Sequence, residues 1–315
     1  VTGASGFIGR RLLADLNGRG IEVQALVRGG RQLGHAIAIP GDVRDEMSLR
    51  ELVRGCEVVV HLAAFVHHGT MTEEDAEECR SVNVDGTARL VRAIADEGSK
   101  PFLVFISSAN VYPPGVPADE ETPPQPSTLY GETKWRAEGL VLDAIRRGEI
   151  EGTVLRPAMV FGEGAPGNLA RLIAMVRRRV VLDVNGGSQK KTIVPVANVI
   201  SAIHAVVSNR EASSGRIYNV GGAVLSMREL TELIARAAGV HPLHVPVPGG
   251  LARRVARVAD RVLRPSVSFE RLALTYMTDA IILDDRIRRL PEFTCADVPA
   301  EIARTVLASG RRASG

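Results

Sequence analysis

Three glycines, Gly3, Gly6 and Gly9, open this 315-residue chain with two residues between each pair, and a helical apolar pattern, Phe7–Leu16, begins among them. No other feature restricts the fold as much. A chain that turns this tightly and brings its backbone against an anion needs positions without a Cβ, and the helix that follows points its N–H groups and positive dipole end at that anion. A glycine triplet alone marks only turns. Here it lies between a strand remnant at Val1–Thr2 and a helix, and a β-branched run, Ile21–Val27, ends about 20 residues later, the spacing of a dinucleotide-binding βαβ unit. Nothing precedes Val1 to complete a first strand, so the sequence is expected to begin inside one.

The first half alternates β-branched runs with helical spacing, which predicts an α/β protein with a parallel, doubly wound sheet. Ile21–Val27, Ala36–Ile39, Glu57–Leu62, Phe102–Ser107 and Gly152–Arg156 are the expected strands. Glu57–Leu62 and Phe102–Ser107 are nearly all apolar, as strands covered on both faces should be. Phe7–Leu16, Ser48–Arg54, Thr72–Ala95 and Tyr130–Arg147 are the expected helices, and the six prolines from Pro113 to Pro126 mark a loop. From Phe161 the alternation weakens, which predicts a second lobe. Residues 1–165 are assigned to the dinucleotide lobe and 166–315 mainly to the other. Ala197–Val207 and Ile217–Val220 return to the first sheet, and Met227–Ala238 and Leu251–Leu263 are helices of the second lobe.

Composition excludes several partners. Aromatic residues are 4% of the chain, too few for the stacking platforms of single-strand binders, and a net charge of +3 without a Lys/Arg-rich tail gives no nucleic-acid surface. No apolar run approaches the roughly 18–20 residues of a membrane helix. The longest, Val58–Val66, is broken by His61. Membrane insertion and a signal peptide are therefore not expected. Cys56, Cys79 and Cys295 are far apart, which speaks against disulfides and structural zinc and for a cytoplasmic location. His61, His67 and His68 lack further ligands at metal spacing, so no metal is expected. Arg177–Arg179 close a helix, and the arginines from Arg253 to Arg264 recur on one helical face as a solvated surface.

Tyr130 and Lys134, at i and i+4, project from one face of a helix. A free phenol titrates near pH 10; an ammonium one turn away, with the positive nicotinamide of an oxidised cofactor, should draw it toward neutrality. Ser108 follows a buried strand at its carboxyl end, where parallel sheets present ligands, and can hold a reacting oxygen. Asn83 is either a relay near that site or a side chain bonding locally to its own backbone. Arg28 ends the Ile21–Val27 strand where NAD-binding chains carry an acid. A guanidinium there suits a 2′-phosphate, so NADP is preferred over NAD, unless Arg28 is simply solvated. Asp42 either accepts the adenine amino group or caps the next helix.

Thr2-Gly-Ala-Ser-Gly-Phe-Ile-Gly9, His61-Leu-Ala-Ala64, Asn83-Val-Asp-Gly-Thr87, Ser107-Ser-Ala-Asn-Val-Tyr112, Tyr130-Gly-Glu-Thr-Lys134 and Arg156-Pro157 follow one another in the order of the extended short-chain dehydrogenases. The chain resembles the NAD-dependent epimerase/dehydratase family, closely to about Gly162 and more loosely through Thr192–Val199 and Tyr218–Gly222. The resemblance implies a Rossmann lobe with a smaller α+β carboxy-terminal substrate lobe, a nucleoside-diphosphate sugar as substrate, and pairing into a homodimer. It assigns the cofactor to Gly3, Ser5, Gly6, Phe7, Ile8, Gly9, Arg28, Asp42, Val43, Leu62, Ala63, Ala64, Tyr130 and Lys134. It makes Ser108 an orienting group, Tyr130 the acid/base and Lys134 the ribose ligand, with Asn83 beside them. Ala109-Asn110 stand where sugar dehydratases carry Asp-Glu, which argues against dehydration. Met159 stands where galactose-type epimerases carry a diphosphate-binding asparagine. Asn168, Arg171 and Lys191, the last aligned with a diphosphate-binding arginine, are the substitutes. These departures and the missing acid after Val27 resemble the family's 4-keto-sugar reductases more than its 4-epimerases, and a 4-keto reductase or a 4-epimerase is the expected activity. The alternatives are a reductase of a steroid- or flavonoid-type ketone and a non-catalytic NADP-binding redox sensor.

Overall fold

The structure is a computed structural model that describes residues 1–30, 33–66, 71–263, 274 and 277–311. Strand β1 (Gln24–Val27) pairs in parallel with β2 (Ile37–Pro40). Strands β3 (Val58–His61), β4 (Phe102–Ile106), β5 (Gly152–Pro157) and β9 (Ile217–Val220) form a second parallel group in that order. Val1 and Thr2 join the two groups. Leu26 N–H donates to the Val1 carbonyl at 3.0 Å, and Thr2 N–H donates to the Val60 carbonyl at 3.0 Å. The order across the sheet is thus β2, β1, Val1–Thr2, β3, β4, β5, β9.

Strand β4 shows why both faces are covered. All five of its residues are buried, and alternate side chains leave a strand on opposite faces. Leu103 and Phe105 enter a core with Leu49 and Leu52 of α2 (Glu46–Val53), Leu90 and Ile94 of α4 (Gly86–Asp96), and Ala137 and Val141 of α5 (Leu129–Arg146). Phe102, Val104 and Ile106 enter another with Leu12 of α1 (Phe7–Gly18) and with Val199, Ile203 and Val206 of α7 (Val196–Ser208). Each large apolar side chain so enclosed contributes about 1.5–3 kcal/mol relative to exposure.

The helix expected over Thr72–Ala95 is interrupted. It consists of α3 (Glu73–Arg80), a π turn over Ser81–Asp85, and α4. The sequence carries helical spacing throughout; the extra residue in the π turn follows from Asn83, whose buried amide finds its partners on other elements.

Beyond β5 the chain builds a separate core. β6 (Met159–Phe161) runs parallel to β8 (Lys190–Pro195), and β10 (Ala223–Ser226) runs antiparallel to β8. β7 (Val180–Val184) pairs in parallel with β11 (Leu243–Val247). Phe161 lies in this core with Leu169, Leu172 and Val176 of α6 (Asn168–Arg177), Leu230 and Ile234 of α9 (Met227–Ala238), and Ile302 and Val306 of the helix Val298–Arg311. Helix α9 starts at a capping box between Ser226 and Glu229 and stops at left-handed Gly239, so its limits are those the sequence predicts. A one-turn helix, α8 (Arg210–Ser213), precedes β9, and α10 (Gly249–Leu263) follows β11. Among the described residues no helix is long and apolar enough to cross a membrane.

Candidate active site

The glycine loop connects Val1–Thr2 to α1. Gly3 has φ +66°, and a Cβ there would lie 2.6 Å from the Ala63 nitrogen, so the loop rests directly on the segment Leu62–Ala64 that leaves β3. A Cβ at Gly9 would lie 2.3 Å from the Gly3 carbonyl oxygen, so only hydrogen lets α1 approach the loop. Helix α1 has no side-chain cap and no acidic residue in its first turn. Its leading N–H groups and dipole therefore remain available to an anion. Ser5 is exposed at the loop's tip, and Phe7 and Ile8 are half-buried behind it. These residues fit a dinucleotide pyrophosphate.

At the far end of β1, Arg28 is exposed, and Arg31 lies outside the described residues. Asp42 does not cap α2. Asp45 does, accepting from Met47 and Ser48 N–H at 3.2 Å each. Asp42 instead accepts both arms of the Arg44 guanidinium, at 2.8 and 3.0 Å, and Arg44 N–H at 3.0 Å. That fork, with a smaller effect from Arg28, holds its carboxyl below the usual range. Sequence reasoning overlooked Arg44, whose fork onto Asp42 depends on the turn after β2. Val43 is buried against Gly86 of α4.

The reacting residues come from β4 and α5. Ser108 follows β4 and caps the short turn Ala109–Val111, accepting from Asn110 N–H at 3.2 Å. Thr128 caps α5 through Gly131 N–H at 3.1 Å. A Cβ at Gly131 would lie 2.3 Å from the Asn110 carbonyl oxygen, so the first turn of α5 lies against the turn after β4. This contact brings the Tyr130 phenol into the neighbourhood of the Ser108 hydroxyl, which acts on it as a hydrogen-bonding group. Burial pushes the phenol up to about 12, and the bond to Ser108 only partly offsets this. Lys134 is not among the influences that move Tyr130, of which desolvation is the largest. Lys134 is itself buried, and burial lowers it to about 8 against the opposing charge of Glu138. Its Nζ lies 4.3 Å from the centre of the Phe105 ring, and among the described residues it has no hydrogen-bond partner.

Asn83 matches neither sequence reading. Its Oδ1 accepts from Phe65 N–H at 2.7 Å, and its Nδ2 donates to the Phe65 carbonyl at 3.2 Å and to Thr133 Oγ1 at 3.0 Å. With both amide ends engaged it ties the segment after β3 to α5, one residue before Lys134. These bonds fit a positioning residue.

A second polar chain runs beneath it. Thr87 donates to the Asn83 carbonyl at 2.7 Å, so its oxygen must accept from His61 Nε2–H at 3.0 Å. His61 Nδ1 is then an acceptor for the Thr2 hydroxyl at 2.6 Å, while Ala63 N–H donates to Thr2 Oγ1 at 3.1 Å. Burial depresses His61 to about 3, so the imidazole is neutral. It joins the glycine loop to the π turn. His67 and His68 lie outside the described residues, and among those described no cluster of His, Cys, Asp or Glu could hold a metal.

Arg156 grips Glu138 of α5 through 3.0 and 2.6 Å bonds and donates to the Tyr112 hydroxyl at 2.8 Å, all buried. Sequence reasoning gave it no role. Asn168 and Arg171 stand half-buried in the first turn of α6. Lys191 is buried in β8, and its ammonium donates to the Thr278 carbonyl. Among the described residues no hydrogen bond or ion pair links these three to one another or to Tyr130. Met159 begins β6, and the exposed Asn110 follows Ser108, with no carboxylate at either position.

The fold and this constellation define a nicotinamide-dependent oxidoreductase of the extended short-chain type. Residues 1–221 match the NAD dependent epimerase/dehydratase family. The N-acetyl-α-D-glucosaminyl-diphospho-ditrans,octacis-undecaprenol 4-epimerase of Escherichia coli is 30% identical over 79% of this chain and 75% of its own length. The 4-hydroxy-2-methyl-3-oxo-4-farnesyl-3,4-dihydroquinoline-1-oxide ketoreductase of Stigmatella aurantiaca is 31% identical over 92% of this chain and 89% of its own. The solved structure of MoeE5 in complex with UDP-glucose and NAD superposes with a TM-score of 0.77 at 26% identity, covering 100% of this chain and 98% of the other. The chain belongs to the NAD-dependent epimerase/dehydratase family and is an enzyme of the extended short-chain dehydrogenase/reductase type.

Proposed function

We propose that the chain moves a hydride to or from C4 of a nucleoside-diphosphate sugar, as a 4-keto reductase or a 4-epimerase, with Tyr130 exchanging the proton. The observation that carries this is the packing of the first turn of α5 on the turn after β4, which sets Tyr130 by Ser108 and one helical turn from the buried ammonium of Lys134. A bound nicotinamide supplies or accepts the hydride. Ser108 holds the carbonyl oxygen by its hydroxyl. As that oxygen gains charge, the Tyr130 O–H bond breaks and the proton passes to it, leaving the alcohol and a phenolate that solvent reprotonates. Lys134 offers its unpartnered ammonium to the ribose hydroxyls and, once there, favours the phenolate.

The MoeE5 complex with UDP-glucose and NAD, and the diphosphate-linked 4-epimerase, support a diphospho-sugar and C4. The exposed Arg28 after β1, with no acid beside it in the chain, supports NADP over NAD. Ala109 and Asn110 support the absence of dehydration.

One observation favours a second reading. The Lys191 ammonium is held by the Thr278 carbonyl, which weakens the substitute for a diphosphate cation. The ketoreductase relative also spans more of the chain than the epimerase. On this reading the substrate is a non-nucleotide ketone.

The test is a substrate panel of UDP-, dTDP- and GDP-linked 4-keto sugars beside polycyclic ketones, followed by nicotinamide absorbance and product NMR. Reduction at C4 of a nucleotide sugar is expected. Turnover of polycyclic ketones alone would transfer the assignment to the second reading.

A further inference from the structure

Helix α10 takes no part in the chemistry above, and its exposed surface carries an apolar stripe beside arginines. Ala256 is buried, and Ala252, Ala259 and Asp260 are half-buried, which fixes the side turned toward the protein. Leu251, Val255 and Val258 recur at i, i+4 and i+7 along one exposed flank of the helix and are 54%, 59% and 61% exposed. Arg254 and Arg261 flank this stripe on one side, both exposed, and among the described residues neither forms an ion pair. Asp260, the helix's single acid, lies on the inward half.

An outward apolar ridge bordered by cations, with no acid beside it, complements a surface that is negative at its rim and apolar beneath. That is the interface of a bilayer containing anionic phospholipid. At about 22 Å the helix is too short to span a membrane and suited to lying in its plane. We propose that α10 docks the enzyme on such a bilayer, with Leu251, Val255 and Val258 entering the headgroup boundary and Arg254 and Arg261 on lipid phosphates. The proposal does not depend on which substrate is reduced.

The experiment is co-sedimentation of the whole chain with phosphatidylcholine vesicles, with and without phosphatidylglycerol, alongside light scattering. Binding to the anionic vesicles and little to the neutral ones is expected, weakening as salt is added. Val255→Asp with Val258→Asp should lower the partition at least about tenfold, and Arg254→Gln or Arg261→Gln about fivefold each. Because these side chains are exposed, helical circular dichroism and NADPH binding should be unchanged, which separates lost docking from lost folding. Failure of the parent chain to bind anionic vesicles overturns the proposal, as does equal binding by the aspartate variant. A dimer in solution that the aspartate variant breaks, without vesicle binding by the parent, would give the ridge to a second copy instead.

Discussion

Tyr130 and His61 show how burial sets the charge of the site's residues. Raised by burial to about 12, the phenol is a proton donor at rest, and Ser108 is the hydrogen-bond partner that opposes the rise. His61 is held at about 3 against an ordinary 6.5. Unfolded, it takes up a proton as the pH falls through 6.5; folded, it refuses one until about 3. The unfolded state thus binds more protons across that window, so His61's contribution is complete above pH 6.5 and is lost as the pH falls toward 3, at up to about 1.4 kcal/mol per pH unit. Urea unfolding of His61→Gln from pH 7 to 4.5 should give a shallower dependence than the parent; parallel curves would show that His61 does not titrate on unfolding. The sequence reveals Tyr130, Lys134 and Ser108 because each is set by local order: a four-residue helical step for the first two, the end of a buried apolar run for the third. It does not reveal Asn83's role or Arg44, since both depend on partners distant in the chain or on the path of a turn.

Helix α5 organises the site at the level of elements. Gly131 presses it to the turn after β4, Asn83 pins it at Thr133, and Glu138 clasps Arg156 of β5. Removing one partner of a buried ion pair leaves a desolvated charge, which costs about 3–5 kcal/mol. Glu138→Ala should lose that much in chemical denaturation. Glu138→Gln, which still accepts a hydrogen bond, should lose less. Equal stability for the parent and Glu138→Ala would mean that the clasp does not hold α5. Elements buried on two faces were the easiest to read, and β4 is the clearest because its apolar run admits only an enclosed strand. The π turn was hidden because its cause is tertiary. Strands β6, β7, β8, β10 and β11 escape the sequence reading because β6 is three residues long, β7 alternates in burial but turns Val180 and Leu182 outward and Asp183 inward, and β11 mixes exposed and half-buried positions, so no apolar period of two emerges.

Across the whole molecule, the glycine loop after Val1–Thr2, Arg28 after β1 and Ser108 after β4 all stand at the carboxyl ends of parallel strands, where such sheets bind ligands. Arg28→Ala should reduce any preference for NADPH over NADH, measured as a ratio of dissociation constants, by about tenfold, since a charge-assisted bond to phosphate is worth about 1.5 kcal/mol or more. An unchanged ratio would remove Arg28 from the cofactor site. The doubly wound sheet was legible from alternation alone, whereas the diphosphate end was not: Asn168, Arg171 and Lys191 are charged or polar residues whose use depends on where the second lobe carries them. Proton donation by Tyr130 is tested most directly by single-turnover reduction with Tyr130→Phe, with NADPH affinity measured in parallel. Removing one hydroxyl should slow the hydride step about a thousandfold or more while NADPH binds within a few-fold of the parent; a variant that reduces substrate at near-parental rate would contradict Tyr130 as the proton donor.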